Sequence, residues 1–307
     1  MSSVVVVKLA KEMADSGVDA AAYRRLLEIG LVSLNGDSNL RSAINTILPD
    51  GNVGFKTSCL ARKFNSTPVP LVDALTGLLI DHGFDANDLV VWERSNRELL
   101  DAGFTLNASS QGVRCLGTDA NGVGYTTEFS THGPVSSLVS HILTDMIEQN
   151  INLPVLKDHS VAGLSAGMKN MYGAIHNPNK FHADCCDPYC AHVNSLDPIR
   201  QKHRLTIIDA IRVQYDGGPG YVAQYMTKFG ALIFSRDPVA GDRVGLEIIE
   251  RLRQDHGRPS LAKAGREVKY LKTAKALGLG ESELDQIDLK VLIVDELGQP
   301  SAGELFG

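Results

Sequence analysis

Histidine and cysteine crowd one stretch of this sequence. Between His176 and His203 the chain reads HNPNKFHADCCDPYCAHVNSLDPIRQKH, and most of its five cysteines and nearly half of its nine histidines fall there. His182, Asp184, Cys185, Cys186, Cys190 and His192 offer imidazole, thiolate and carboxylate donors close together. Thiolate-rich sets suit zinc or iron–sulfur clusters, and mixed histidine–carboxylate sets suit non-haem iron. The spacing Cys-Cys-x3-Cys-x-His matches no standard framework, and adjacent cysteines tend to diverge. Three readings stay open. One is a transition metal, iron or zinc, or an iron–sulfur cluster, held by His182, Cys185, Cys186 and Cys190. The second is a disulfide from Cys185 or Cys186 to Cys190. The third is a redox or nucleophilic thiol activated by Lys180 or a protonated histidine. Exposed soft ligands at this density oxidise easily, so a bound metal is the expectation carried forward.

A second group of reactive side chains follows short apolar runs. Val53–Phe55 leads into Lys56, Val90–Trp92 into Glu93 and Arg94, Pro154–Leu156 into Lys157, Asp158 and His159, and Thr206–Ile208 into Asp209. Ligands of open α/β sheets bind outside the carboxyl ends of the strands. If these runs are parallel strands, Lys56, Lys157, Asp158 and Asp209 face one cleft. Ser160 reads as the N-cap of a helix reaching Tyr172, with Lys157, Asp158 and His159 just before its anion-favouring end. On such a helix Ser165, Lys169, Tyr172 and His176 share a face. The turn Asp216–Gly220 follows a strand, and Gly217 and Gly218 could present backbone N–H groups to an anion, although no P-loop lysine follows. The lysines would hold a carboxylate or phosphate. His159 or His176 would be the general acid or base, because imidazole titrates near neutrality.

The elements that must position these groups alternate along the chain. Strands are expected at Val53–Phe55, Leu89–Trp92, Val113–Leu116, Pro154–Leu156, Leu205–Ile208, Ala231–Phe234 and Leu289–Val294. Helices are expected at Asp19–Val32, Asp37–Leu48, Pro68–His82, Ser95–Ala102, Pro134–Glu148, Ser160–Tyr172 and from Pro238 to about Arg253. This predicts an α/β fold with a mostly parallel sheet, flanking helices and helical N- and C-terminal additions. No linker interrupts the pattern, so one α/β domain is expected over 1–307, with a helical lead-in over 1–50 and a helical addition over 255–288.

Composition narrows the function. The chain has 307 residues, and its net charge of −6 disfavours a general nucleic-acid binder, which needs a basic face. No apolar run is long enough to span a bilayer, so no membrane partner is expected. An odd number of cysteines makes a poor disulfide framework and suits a reducing cytoplasm, with export after signal removal left open.

Four blocks carry a family resemblance: VGFKTSCLA (Val53–Ala61), LPVLKDHSVAGLSAGMKNMYGAIHNPNKFH (Leu153–His182), RLTIIDAIRVQYDGGPG (Arg204–Gly220) and SRDPVAGD (Ser235–Asp242). In these the chain resembles the domain of unknown function 362 family, whose members are sometimes joined to iron–sulfur ferredoxin modules. The resemblance directs attention to Lys56, Lys157, Asp158, His159, Lys169, Asn170, Tyr172, His176, Asn177, His182, Asp209 and Asp237. A ferredoxin-like run of four spaced cysteines is missing, so a cluster would need a further ligand or a partner chain. The expectation is a metal- or iron–sulfur-linked enzyme, an oxidoreductase first, acting on a small anionic substrate. Lys157, Asp158, His159, Lys169 and His176 would be catalytic. Lys56, Asn170, Tyr172, Asp209, Gly217 and Gly218 would bind substrate. The alternative is a non-catalytic metal or small-ligand carrier. A redox partner protein and self-association are left open.

Overall fold

The structure is a computed structural model and describes residues 1–10 and 18–306. Thirteen strands are present among the described residues: β1 (Ser2–Leu9), β2 (Val53–Thr57), β3 (Leu89–Glu93), β4 (Arg114–Gly117), β5 (Ser130–His132), β6 (Val135–Ser137), β7 (Gln149–Leu153), β8 (Val155–His159), β9 (Gly163–Ser165), β10 (His203–Gln214), β11 (Met226–Ser235), β12 (Ile287–Val294) and β13 (Pro300–Ala302). All but the β5–β6 hairpin join one sheet, ordered β13-β12-β1-β11-β10-β7-β2-β3-β4, with β8 beside β10 and β9 beside β8. The pairs β12–β1, β10–β7, β7–β2, β2–β3 and β3–β4 are parallel, and β11 runs antiparallel to both its neighbours.

Helices cover both faces. On one side α1 (Ala20–Asn35), α2 (Leu40–Ile47) and α3 (Val69–Asp81) bury Leu26, Leu27, Ile44 and Leu75 against Val5, Val7, Phe55 and Phe234. On the other, α8 (Pro238–Asp255) and α9 (Tyr270–Ala276) pack Val244, Ile248 and Leu271 against Val4, Val6, Ile208 and Ile233. Shorter helices fill the ends: α4 (Asn96–Ala102), α5 (Gly167–Asn170), α6 (Tyr189–Asn194) and α7 (Asp197–Lys202). No helix among the described residues is long and apolar enough to cross a membrane.

Four expected stretches are corrected. The lead-in over 1–50 begins with an interior strand, because Val4–Val7 buries alternate side chains in opposite cores and so shows no polar face. Pro134–Glu148 is not one helix: Gly133, at φ +52°, and Pro134 turn the β5–β6 hairpin, and only Ile142–Met146 is helical, as a single π turn. Ser160–Tyr172 is not a helix either. Gly163, at φ +76°, closes the β8–β9 hairpin, and only Gly167–Asn170 and the tight turn Met171–Ala174 are helical. Over 255–288 the only α-helix among the described residues is α9, followed by turns and the start of β12.

An ion network ties the middle of β8 to the distant C-terminal segments. Asp158, fully buried, accepts from Arg266 Nη1 at 2.6 Å and from the Gly218 N–H at 2.9 Å, with Arg253 Nη1 at 3.6 Å. Asp216 bridges Arg253, Arg258 and Arg266. Removing one member of such a set strands buried charge. Asp158→Asn is therefore expected to lower stability by about 3 kcal/mol or more at neutral pH, measured by urea denaturation. A loss near zero would show that the arginines are satisfied without it.

Candidate functional site

The cleft opens where two neighbouring strands part. β2 pairs with β7 as far as Thr57 opposite Leu153, and after Pro154 the chain continues as β8, which pairs with β10 and β9 instead. The chain runs outward from β2 through β3 to β4 and then returns to β7 on the opposite side of β2, so the gap lies at a reversal of strand order. Open α/β sheets bind ligands at such points. The cavity, of about 240 Å³, is lined from β2 and its loop by Lys56, Ser58 and Cys59, from β8 by Lys157 and His159, and from beyond β9 by Lys169, Asn170, Tyr172 and His182.

Three lysines enter this space, and they are not alike. Lys56 Nζ is fully enclosed, donating to Glu93 Oε1 at 2.6 Å and to the Thr57 carbonyl at 2.6 Å. Glu93 also accepts from the backbone N–H groups of Arg94 and Cys59, so the pair is neutral and occupied. On the rim, Arg94 is paired with Glu98 at 2.7 Å. Lys157 is 2% exposed, and its Nζ donates to one acceptor, the Asn65 carbonyl oxygen, at 2.8 Å. Burial lowers its pKa to about 8. Lys169 is 8% exposed; its Nζ lies 3.0 Å from His182 Nε2 and 3.6 Å from the centre of the Tyr172 ring. Burial lowers its pKa as well. Among the described residues neither Lys157 nor Lys169 makes an ion pair.

Hydrogen-bond partners assign both imidazoles to neutral tautomers. His182 Nδ1 is 3.1 Å from the Pro178 carbonyl, so Nδ1 carries the hydrogen and Nε2 accepts from Lys169. His159 Nδ1 accepts from the N–H groups of Val161 and Ala162, each at 3.1 Å, which leaves the hydrogen on Nε2. Burial first, then the charges of Lys169 and Lys157, brings the His159 pKa down to about 3. It is a fixed neutral donor at neutral pH. Burial and Lys169 lower His182 too.

The cleft thus collects Lys56, Lys157, His159, Ser165, Lys169, Asn170, Tyr172, Asn177 and His182. It excludes the rest. Asp158 alternates to the opposite face of β8, into the arginine network. Asp209 does not end a strand: β10 runs on to Gln214, and the carboxyl lies under α1, accepting from the Ile211 N–H at 2.8 Å, with Tyr23 Oη at 3.4 Å. Burial raises its pKa to about 7. His176 sits in an adjoining hollow with Tyr125, Ser95 and Asp119, which shares Arg94 and Asn177 with the main cavity. The Gly217–Gly218 turn is filled from within, since the Gly218 N–H is taken by Asp158 and its carbonyl by the Ser160 N–H. Ser160 therefore caps no helix. Asn65, whose carbonyl holds Lys157, was not read as a site residue; a backbone oxygen in a loop leaves no mark in side-chain types.

The thiols do not assemble into a ligand set. All five cysteines are free. Cys185 is half-buried with Sγ 3.5 Å from the Gly265 carbonyl, while Cys186 and Cys190 are enclosed and burial raises their pKa values. Asp184, Cys185 and Cys186 are consecutive left-handed residues, of which Asp184 is exposed, Cys185 half-buried and Cys186 enclosed. Among the described residues no three of His, Cys, Asp and Glu gather as metal ligands. His182, Cys185, Cys186 and Cys190 as found do not fit a cluster or a zinc site.

His159 generates an acid prediction. Its folded pKa is depressed, so between about 6.5 and 3 the unfolded chain holds the extra proton and stability falls as pH falls. His203, brought down to about 4, adds to the same limb. His159→Asn keeps an acceptor for the two N–H groups and cannot titrate. It is expected to recover on the order of 3 kcal/mol of the loss between pH 6.5 and 4, read from denaturant midpoints. An unchanged acid limb would contradict the assignment.

Residues 56–247 match the family described as Domain of unknown function (DUF362), a span that holds every side chain of the cleft named above. A crystal structure of a protein from Thermotoga maritima is similar at 10% identity and a TM-score of 0.43; the match covers 77% of this chain and 59% of that one. The chain thus spans less than two thirds of that protein's length. No curated protein matches.

Proposed function

The chain belongs to the DUF362 family, and we propose that it is an enzyme whose cleft binds a small molecule carrying a carboxylate or phosphate. One observation carries this reading: Lys157 and Lys169 are buried at one cavity without an acidic partner. Leaving a buried ammonium unpaired costs several kcal/mol. A bound anion supplies the missing charge. The cavity suits a few heavy atoms rather than a polymer. Its donors converge on that ligand: Lys169 Nζ, Lys157 Nζ and the Nε2–H of His159.

A carrier without turnover would share the affinity. Two lysines with lowered pKa values and a histidine poised against one of them favour chemistry, since acid–base groups are tuned in this way at active sites. An iron–sulfur or metal-linked oxidoreductase would need ligands from a partner chain or a rearranged Cys185–Cys190 segment, so the proposal stops at the anion. Five free thiols favour a reducing compartment, and we place the protein in the cytoplasm.

Calorimetric titration with inorganic phosphate tests the reading. Saturable binding is expected at pH 7, weakening above pH 8 as Lys157 loses its proton. Lys157→Met and Lys169→Met should each lower affinity about ten-fold or more. Stability should move the other way. The unfolded chain holds more protons between about pH 8 and 10.5, so wild-type stability rises with pH across that window, and below it the buried charge is a burden. Lys157→Met should thus be at least as stable as the wild type at pH 7, by up to about 3 kcal/mol. A destabilised variant with intact phosphate binding would mean that Lys157 is structural.

A further inference from the structure

We propose that Lys157 is a covalent nucleophile, forming an imine with a small 2-oxo acid whose carboxylate lies toward Lys169. The inference rests on the anion reading for the placement of the carboxylate. It adds the reacting atom and the substrate class.

Three features of the cleft lead to it. A lysine ammonium has three donors, and Lys157 Nζ meets a single acceptor, the Asn65 carbonyl at 2.8 Å. The minor, neutral amine form also fits this setting: one hydrogen goes to Asn65, and the lone pair is free for the cavity that the side chain lines. Second, His159 stands two residues along the same strand on the same face, and both line the cavity. Its Nδ1 is held by two backbone N–H groups, so its Nε2–H is a fixed donor for a carbonyl oxygen beside the amine. Third, Lys169 keeps a cation available for the carboxylate, steadied by the Tyr172 ring and the His182 lone pair. Desolvated lysines among cations are the kind that react with carbonyl compounds near neutral pH. Burial brings Lys157 to about 8, leaving an appreciable share as free amine at pH 7.5.

The step balances without an oxidant. The Nζ lone pair attacks the ketone or aldehyde carbon, and a C–N bond forms as the C=O π electrons move to oxygen, which takes a proton. The nitrogen gives up one proton, the oxygen departs as water with a second proton taken from solvent or Lys169, and a protonated imine remains. Lys56 cannot substitute, because its Nζ is locked between Glu93 and Thr57.

The test traps the imine. Wild-type protein is incubated with pyruvate and sodium cyanoborohydride at pH 7.5, and adducts are located by peptide mass spectrometry. One reduced pyruvate per chain is expected at Lys157, formed about ten-fold faster than on exposed lysines, and slowed by inorganic phosphate. Lys157→Arg, checked for folding by thermal melting, should lose this adduct and keep only the slow background. Glyoxylate as a second probe covers a cavity too tight for the methyl group. If neither probe labels Lys157 above background while phosphate still binds, the imine is overturned and the anion reading stands. Labelling at Lys157 that phosphate does not slow supports the imine and overturns the anion reading. Fast labelling that survives in Lys157→Arg overturns the imine, because another lysine then reacts.

Discussion

Lys157 and His159 reach the cleft through the register of β8, and one buried carboxylate holds that register. Successive residues of a strand point to opposite faces, so a slip by one residue exchanges the faces of the whole strand. Asp158 sits between Lys157 and His159 and is bound by Arg266, Arg253 and the Gly218 N–H. With Asp158 fixed among the arginines, Lys157 and His159 must face the cavity. The reverse arrangement would aim an ammonium at two guanidinium groups. Gly218 is required for the same reason, since a Cβ there would stand 1.8 Å from the Asp158 carbonyl oxygen. A buried ion network is weak support for stability, but a specific one for which side of a strand faces where. Here it also explains why α8 and the 258–266 segment matter to a site they do not line.

The two kinds of lysine divide the work of the cleft. Lys56 and Glu93 form a neutral floor that also receives the Cys59 and Arg94 N–H groups, and Gly173 lies so close that a Cβ would come within 2.7 Å of Lys56 Nζ. That floor holds its charges within the protein. Lys157 and Lys169 do the opposite. Their charges have no carboxylate partner within the protein, and in the proposed function a bound anion offsets that cost.

The sequence made part of this legible. Lys56, Lys157 and His159 follow apolar runs, and the parallel-sheet rule places them at one edge. The same rule misplaced Asp209, because the run before it continues as a twelve-residue strand and no turn residue marks a stop. Lys169 and Tyr172 share a face of the expected Ser160–Tyr172 helix, of which only α5 and the turn after it form. Gly163 and Gly167 carry helical spacing, yet one supplies a positive φ for a hairpin, and at the other a Cβ would fall 2.9 Å from Asp242 Oδ1. The pairing of Lys169 with His182 joins residues thirteen apart through a tight turn, which periodicity cannot see. β1 escaped because an all-apolar run buried on both faces resembles neither amphipathic pattern.

The histidine–cysteine density has a physical account within this fold. Cys186 and Cys190 are enclosed in the same core as Met168, Met171 and Ala191, where a thiol behaves as a small apolar group. Burial keeps both protonated, so neither is a ready nucleophile or ligand in this arrangement. The left-handed turn Asp184–Cys186 lies between His182 and α6, and the His182 ring stands 5.8 Å from that of His159 and against Lys169. Of the residues that first suggested a metal, His182 is the one that reaches the cleft, and it reaches it as an acceptor for a lysine proton. Metal chemistry and proton chemistry make opposite demands on that nitrogen: a ligand must offer its Nε2 lone pair to a cation from outside, whereas here an ammonium of the protein already occupies it. A metal could bind His182 only by displacing Lys169, and the lysine would then lose the one hydrogen-bond partner that orients it toward the cavity.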